Sequence, residues 1–384
     1  MGCFPCTGSP VAPGAAELQE RAELLALLDQ DGGHQLLGLD EEGLLEVCKM
    51  LGYPVYGDAM GTIDGYQGKY HREFHPEMKW VTEAYGFAYL GYDLCCRIKQ
   101  YLKETGNELE SICTLLLKGP VTYTWTDPNQ AAKKRHKQKT VDLRKHVGRA
   151  NVFYSHPQAV TVRRTVECLR EGMEAHRAAL PAGTTKIFFW LDYTTLKQCQ
   201  RDFLMPVVRK TIGTIGFTLA EIDNAPQQYL GRSFCMVEMF ETINSGGTLC
   251  IYMNPLRASN VAAELEAQPI DARAATTRNK EDKKQIDGFI EAMEGGFERL
   301  NATITRVVQE SAAAILEKQR SATTLYLGKH IGLSEKDLAL LGDFLQTDAC
   351  AATTSLDLSE NDIVASDLEA LMPGLGRSRI ASLK

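Results

Sequence analysis

Between residues 150 and 255, apolar runs of strand length alternate with stretches whose apolar positions recur every three to four residues. Ala150 to His156 reads as a strand, and Val162, Val166, Leu169 and Met173 put one apolar stripe on the helix after it. Lys186-Ile187-Phe188-Phe189-Trp190-Leu191-Asp192 is an apolar run that ends in a carboxylate, the pattern of a buried parallel strand that would put Asp192 at the carboxyl edge of the sheet. A polar loop from Tyr193 to Asp202 follows. Pro206 can then open a helix at its first position, with Val207, Val208, Thr211, Ile212 and Ile215 at helical spacing and Gly216 closing it. Phe217 to Ile222 makes a further strand, Ser233 is an N-cap candidate for the next helix, and Thr248 to Met253 makes another strand. Strands that alternate with helices predict an α/β fold with a parallel, doubly wound sheet.

Three strings in this stretch carry a resemblance: Val-Phe-Tyr-Ser-His at 152–156, Phe-Trp-Leu-Asp at 189–192 and Arg-Ser-Phe-Cys-Met-Val-Glu at 232–238. In that order they resemble a TIR (Toll/interleukin-1 receptor homology) domain, most closely the divergent TIR-like domains of protists and algae, with a flavodoxin-like parallel sheet as the implied fold. The family usually has Trp-Cys, two variable residues and Glu at the start of its third helix; here Phe234-Cys235 and Glu238 stand at the same offset. The related heterokaryon-incompatibility domains of fungi share a Trp-(Ile/Leu)-Asp strand followed by a Gln, and Gln198 stands in about that place. In enzymatic members this glutamate serves cleavage of the nicotinamide glycosidic bond of NAD+. The resemblance therefore implies Glu238 as catalytic carboxylate, with Ser155, Trp190, Asp192 and Phe234 as substrate-binding residues, and NAD+ as substrate with no bound cofactor. Departure of neutral nicotinamide leaves positive charge on the ribose, which a fixed carboxylate stabilises. Met236, Met239, Phe240 and Ile243 form the apolar stripe of that helix, and Glu238 falls almost opposite it, a position that suits a cleft wall or plain solvent. The same fold also serves as a non-catalytic adaptor, so the enzymatic and the interaction readings both stay open.

Past the last strand, Asp271 to Leu316 is charged and then amphipathic, as expected of two helices that complete or flank the TIR-like unit; mixed charge signs mark a solvated face. The end of the chain repeats itself. Leu338, Leu341 and Leu345 recur 30 positions later as Leu368, Leu371 and Leu375, and Leu325 and Leu327 foreshadow Leu356 and Leu358. With Asn361 completing Leu-x-Leu-x-x-Asn, this resembles the long leucine-rich repeat of the ribonuclease-inhibitor type, in which the Asn side chain hydrogen-bonds backbone between coils. An array this short is expected to be truncated.

At the start, Gly2 is a myristoylation candidate and Cys3 and Cys6 are palmitoylation candidates; two acyl chains would anchor the chain to a membrane surface where one would not. No apolar run approaches the roughly 18 residues of a transmembrane span. Residues 17–51 resemble an EF-hand around Asp29, Asp31 and Asp40, but Gly33, His34 and Asp40 break the ligand pattern, so a degenerate hand is expected and no metal site. His71 and His75 lack a third ligand, and Lys133 to Lys139 reads as a solvated basic linker. The expected division is therefore a disordered, acylated start at 1–16, a mainly helical region at 17–148, a TIR-like α/β domain at 149–320 and leucine-rich repeats at 321–384. Composition fits: 44% hydrophobic and 24% charged residues are ordinary for a globular chain of 384 residues, and a net charge of −7 argues against a dedicated nucleic-acid binder. The 11 scattered cysteines suggest reduced, cytoplasmic thiols. Expected partners are other TIR-like domains or a second copy, and a protein ligand of the repeats.

Overall fold

A computed structural model describes residues 14–51, 91–126, 136–157, 160, 162–200, 202–222, 229–277, 279–327, 333, 335–359, 361, 363 and 365–384. In chain order the strands are β1 (Leu37–Leu39), β2 (Val121–Thr126), β3 (His136–Val141), β4 (Val147–Arg149), β5 (Val152–Ser155), β6 (Phe189–Trp190), β7 (Phe217–Glu221), β8 (Thr248–Tyr252), β9 (Thr324–Tyr326), β10 (Ser355–Asp357) and β11 (Ser382–Leu383). The helices are α1 (Ala15–Leu27), α2 (Glu41–Met50), α3 (Gly91–Glu104), α4 (Ile112–Lys118), α5 (Val162–His176), α6 (Asp192–Thr195), α7 (Met205–Ile215), α8 (Ser233–Asn244), α9 (Pro255–Ala267), α10 (Lys280–Ala292), α11 (Gly296–Arg320), α12 (Glu335–Phe344) and α13 (Ala365–Leu375).

The main sheet is α/β and mostly parallel, in the order β4-β1-β6-β5-β7-β8. Its parallel part, β6-β5-β7-β8, comes from the alternating stretch. Strand alternation then sorts the side chains. Val152 and Tyr154 of β5 join the core on the α5 side, where Val162, Val166, Leu169 and Met173 are buried, while Phe153 meets Trp190, Val208 and Ile212 on the α7 side. Ser155 therefore faces the side of the sheet that α7 and α8 cover. Pro206 lies in the first turn of α7, and Gly216 ends it in the left-handed region at φ 70°, where a side chain would be strained.

Two expectations need correction. Lys186 to Asp192 is not one strand: only Phe189 and Trp190 pair in the sheet, and Asp192 opens the one-turn α6. Ser233 is not the cap of α8; Arg232 holds that position with no side-chain hydrogen bond, and Ser233 is the first helical residue.

Residues 17–148 hold strands as well as helices, and β1 crosses the expected boundary at 149 by pairing antiparallel with both β6 and β4. The EF-hand-like stretch is built into this edge. Residues Gly33–Leu36 form a 3-10 turn and residues 37–39 are the strand itself. Asp40, the last position of the hand-like loop, instead caps α2 through the Gly43 N–H at 2.7 Å and pairs with His146 at 3.0 Å and Lys186 at 2.8 Å. Burial alone would raise its pKa, but these three partners hold it below the usual carboxylate value. The basic stretch expected as a linker is in part strand β3, antiparallel to β2 from His136 onward.

Helices α9, α10 and α11 complete the core that α8 begins, through Val261, Ile286, Leu300 and Ile304. The last segment adds a separate three-stranded parallel sheet, β11-β10-β9, backed by α12 and α13. Asn361 Nδ2 donates to the Leu327 carbonyl at 2.7 Å and to the Leu358 carbonyl at 3.0 Å, joining consecutive strand–helix units. Gly2, Cys3, Cys6, His71, His75 and Lys133 to Arg135 lie outside the described residues. Among those described, no helix is long and apolar enough to cross a membrane.

The edge strand supplies a stability test. A Cβ on Gly38 would sit 2.6 Å from the Phe189 carbonyl oxygen, a backbone atom that cannot move aside without breaking the β1–β6 pairing. Gly38→Ala is expected to cost about 2 kcal/mol or more, read as a lower denaturant midpoint of the transition that reports the α/β core.

Candidate functional site

The carboxyl edge of a parallel sheet gathers what its strands deliver there, and three elements converge at this one. β5 ends in Ser155, β6 leads into Asp192, and the first two turns of α8 carry Phe234 and Glu238. Ser155 Oγ donates to Glu238 Oε2 at 2.5 Å and is itself 2.5 Å from the Tyr229 hydroxyl, so a chain Tyr229–Ser155–Glu238 holds the carboxylate in one orientation. Ser155 and Tyr229 are fully buried, whereas Glu238 keeps part of its surface open to solvent. It is a half-buried residue at the sheet edge.

This placement sets its proton affinity. Burial, with the negative charge of Asp192 adding to it, pushes the Glu238 carboxyl from 4.5 up to about 7, against the opposing effects of the Ser155 hydrogen bond and the Arg232 charge. Tyr229 stays neutral because burial drives its hydroxyl well above its ordinary value. Two neighbouring glutamates differ. Glu241, one turn on, is buried against Arg209 at 2.7 Å. Glu221, at the end of β7, lies on the opposite face of the sheet, where it accepts from the Tyr154 hydroxyl and has Arg164 at 3.9 Å.

Asp192 is part-exposed and accepts from its own neighbour's N–H (Tyr193) at 2.7 Å. His156, buried and stacked on Tyr154, brings Nε2 to 4.0 Å from the Asp192 carboxylate. Gln198 Nε2 donates to the Asp192 carbonyl at 2.6 Å, which ties the loop after α6 back to the sheet edge. Phe234 is part-exposed and meets Phe203 edge to face, with ring centroids 4.3 Å apart.

Trp190 does not join this group. It is 1% exposed and stacks on Phe153 at 4.2 Å, because its place in β6 directs the indole into the layer beneath α7, so it cannot meet a ligand at the edge. Cys235 is buried, with Sγ 3.6 Å from the His156 carbonyl, and burial and Glu238 push its thiol well above its ordinary pKa, which removes it as a nucleophile. Tyr229, Phe203 and His156 are the participants that motif reading passed over. His156 stood in the quoted string without a role; Phe203 lies in a loop and Tyr229 in a short helical stretch before α8, with no periodicity to single either out.

Among the described residues no cluster of His, Cys, Asp and Glu could hold a metal ion. A separate hollow of about 330 Å³ lies at the other end of α8, lined by Arg209, Asn244, Phe289 and Arg299 among others, and none of the sequence-derived site residues reaches it. No family model, curated protein or solved structure matches this chain.

The raised Glu238 pKa has a sign. The folded chain binds this proton more tightly than the unfolded chain, so the stabilisation is complete below 4.5 and is lost as pH rises through about 7. Glu238→Gln removes the penalty of the buried charge. The variant is expected to be more stable than wild type by on the order of 2–3 kcal/mol near pH ~8 and about equal to it near pH ~4, measured by denaturant midpoints at both values.

Proposed function

We propose that this chain is a TIR-like signalling protein that cleaves the nicotinamide glycosidic bond of NAD+, with Glu238 as its catalytic carboxylate. The observation that carries the reading is the state of Glu238: half-buried, oriented by Ser155, and matched by no ion pair among the described residues. A carboxylate held this way has most to gain from a cation brought against it. In the reaction the bond between ribose C1′ and the pyridine nitrogen breaks, its electron pair leaves with nicotinamide, and positive charge spreads over C1′ and the ring oxygen. Ionised Glu238 meets that charge, and water or another nucleophile then adds at C1′. Ser155 and Tyr229 fix the carboxylate, while Phe234 and Asp192 border the space a substrate would occupy. The motif order at 152–156, 189–192 and 232–238 and the α/β sheet with these residues at its carboxyl edge support the same reading.

Nicotinamide release from NAD+ tests it. Glu238→Gln is expected to lower kcat by about 10²-fold or more. Glu174→Gln, on the exposed face of α5, should leave turnover intact and serves as the control. Glu241 is unsuitable for that purpose, because it is buried one turn from Glu238 and changing it would disturb the packing of the same helix. Since the ionised form is the active one, release in the wild type should rise with pH through about 7, the affinity that burial gives Glu238.

The interaction reading has its own observation. Tyr326 on β9 is 39% exposed and pairs in register with Asp357 on β10, which puts an aromatic and a carboxylate side by side on the small sheet. An exposed aromatic on such a sheet suits a protein ligand. Absence of turnover at every protein concentration, together with a complex lost in Tyr326→Ala, would favour an adaptor that works through its TIR-like and leucine-rich surfaces.

A further inference from the structure

The loop between α6 and α7 borders the candidate site, yet what holds it comes from the other end of the chain. Asp202 Oδ2 accepts from His34 Nε2 at 2.8 Å and from the Lys197 N–H at 2.8 Å, and the Asp202 carbonyl accepts from Gln35 Nε2 at 3.1 Å. His34 and Gln35 belong to the 3-10 turn that runs directly into β1, so they are fixed by the sheet itself. The upstream half of the loop is tied as well: Gln198, which grips the Asp192 carbonyl, accepts from Cys95 Sγ of α3 at 2.8 Å. Phe203 follows Asp202 and rests against Phe234, one helical turn before Glu238 on the same face of α8. The end of the loop that carries this aromatic is thus tied by two residues far outside the alternating unit.

We infer that His34 and Gln35 are positioning residues of this site: through Asp202 they hold Phe203 where, with Phe234, it forms the wall for a planar cationic ring that Glu238 faces. The inference rests on the proposed function and adds to it the ring contact and the segment that sets it. A pyridinium is attracted both by aromatic faces and by the carboxylate, and Phe203 can offer its face only while the loop is ordered. Without the tie, ordered loop becomes a fraction of the population, and apparent affinity falls by that fraction. Losing a charge-assisted hydrogen bond is worth about tenfold.

The test uses the full chain, with KM and kcat for nicotinamide release and the calorimetric Kd of NAD+ measured in a Glu238→Gln background to stop turnover. His34→Ala should raise KM and Kd about tenfold while kcat stays within about threefold, and His34→Gln, which keeps a donor, should restore both. Phe203→Ala should raise the same two constants and Phe203→Tyr should not. A tie that merely supports the fold behaves differently, since loss of folded protein lowers kcat and leaves KM alone; that result in His34→Ala overturns the inference while the reading of Glu238 stands. If no nicotinamide is released but NAD+ binding weakens in His34→Ala, the catalytic reading fails and the positioning role survives. If wild type neither turns over nor binds NAD+, both fall.

Discussion

A carboxylate drawn from water and, among the described residues, held in no ion pair is the constraint around which this site is arranged. Glutamates 221, 238 and 241 are all drawn from water, but the protein answers two of them. Glu221 has the Tyr154 hydroxyl and Arg164, and Glu241 has Arg209. Glu238 has a neutral serine, backed by a neutral tyrosine, and the negative charge of Asp192 nearby, with Arg232 acting on it by charge alone and not as an ion pair. Such an arrangement is costly to the fold when the group is ionised, and costs of this kind cluster at functional sites. In the proposed function, a developing ribosyl cation would offset that cost.

The surroundings of Glu238 depend on a sheet larger than the alternating stretch. β1 extends the parallel strands beyond β6, and the turn that enters it anchors the loop carrying Phe203. At the far end of β1, Asp40 gathers the α2 cap, His146 and Lys186 on one carboxylate, so strand, helix and loop are fixed relative to one another. The N-terminal region is therefore structural to the site's edge. The core shared by Leu37, Leu39, Val152 and Leu191 gives the physical reason that β1 and the alternating unit do not separate at 149.

How much of this was legible in the sequence varies with the range of the interactions involved. The helix stripe at Val162, Val166, Leu169 and Met173, the ending of α7 at Gly216 and the use of Asn361 to bridge backbone were readable, because each follows from periodicity or from the local chemistry of one residue type. Glu238 and Ser155 could be named from motif order. The contact between them could not, since it joins a strand end to a helix 83 positions away. Trp190 misled because strand position alone does not say which layer an indole enters; the stacking on Phe153 settles that. What the degenerate EF-hand-like stretch does instead could not be read, as Asp40 pairs with His146, 106 positions on.

By itself, the sequence determined the alternation of strands and helices, the α/β class that follows, and which carboxylates end up near the sheet's carboxyl edge, all consequences of hydrophobic period and short-range backbone preference. Only the tertiary structure decided that β1 joins the sheet, that Tyr229, Ser155 and Glu238 join in one hydrogen-bonded chain, and that among the described residues Glu238 makes no ion pair. Those outcomes depend on pairings between distant segments, and on desolvation that exists only once the chain has closed around the group.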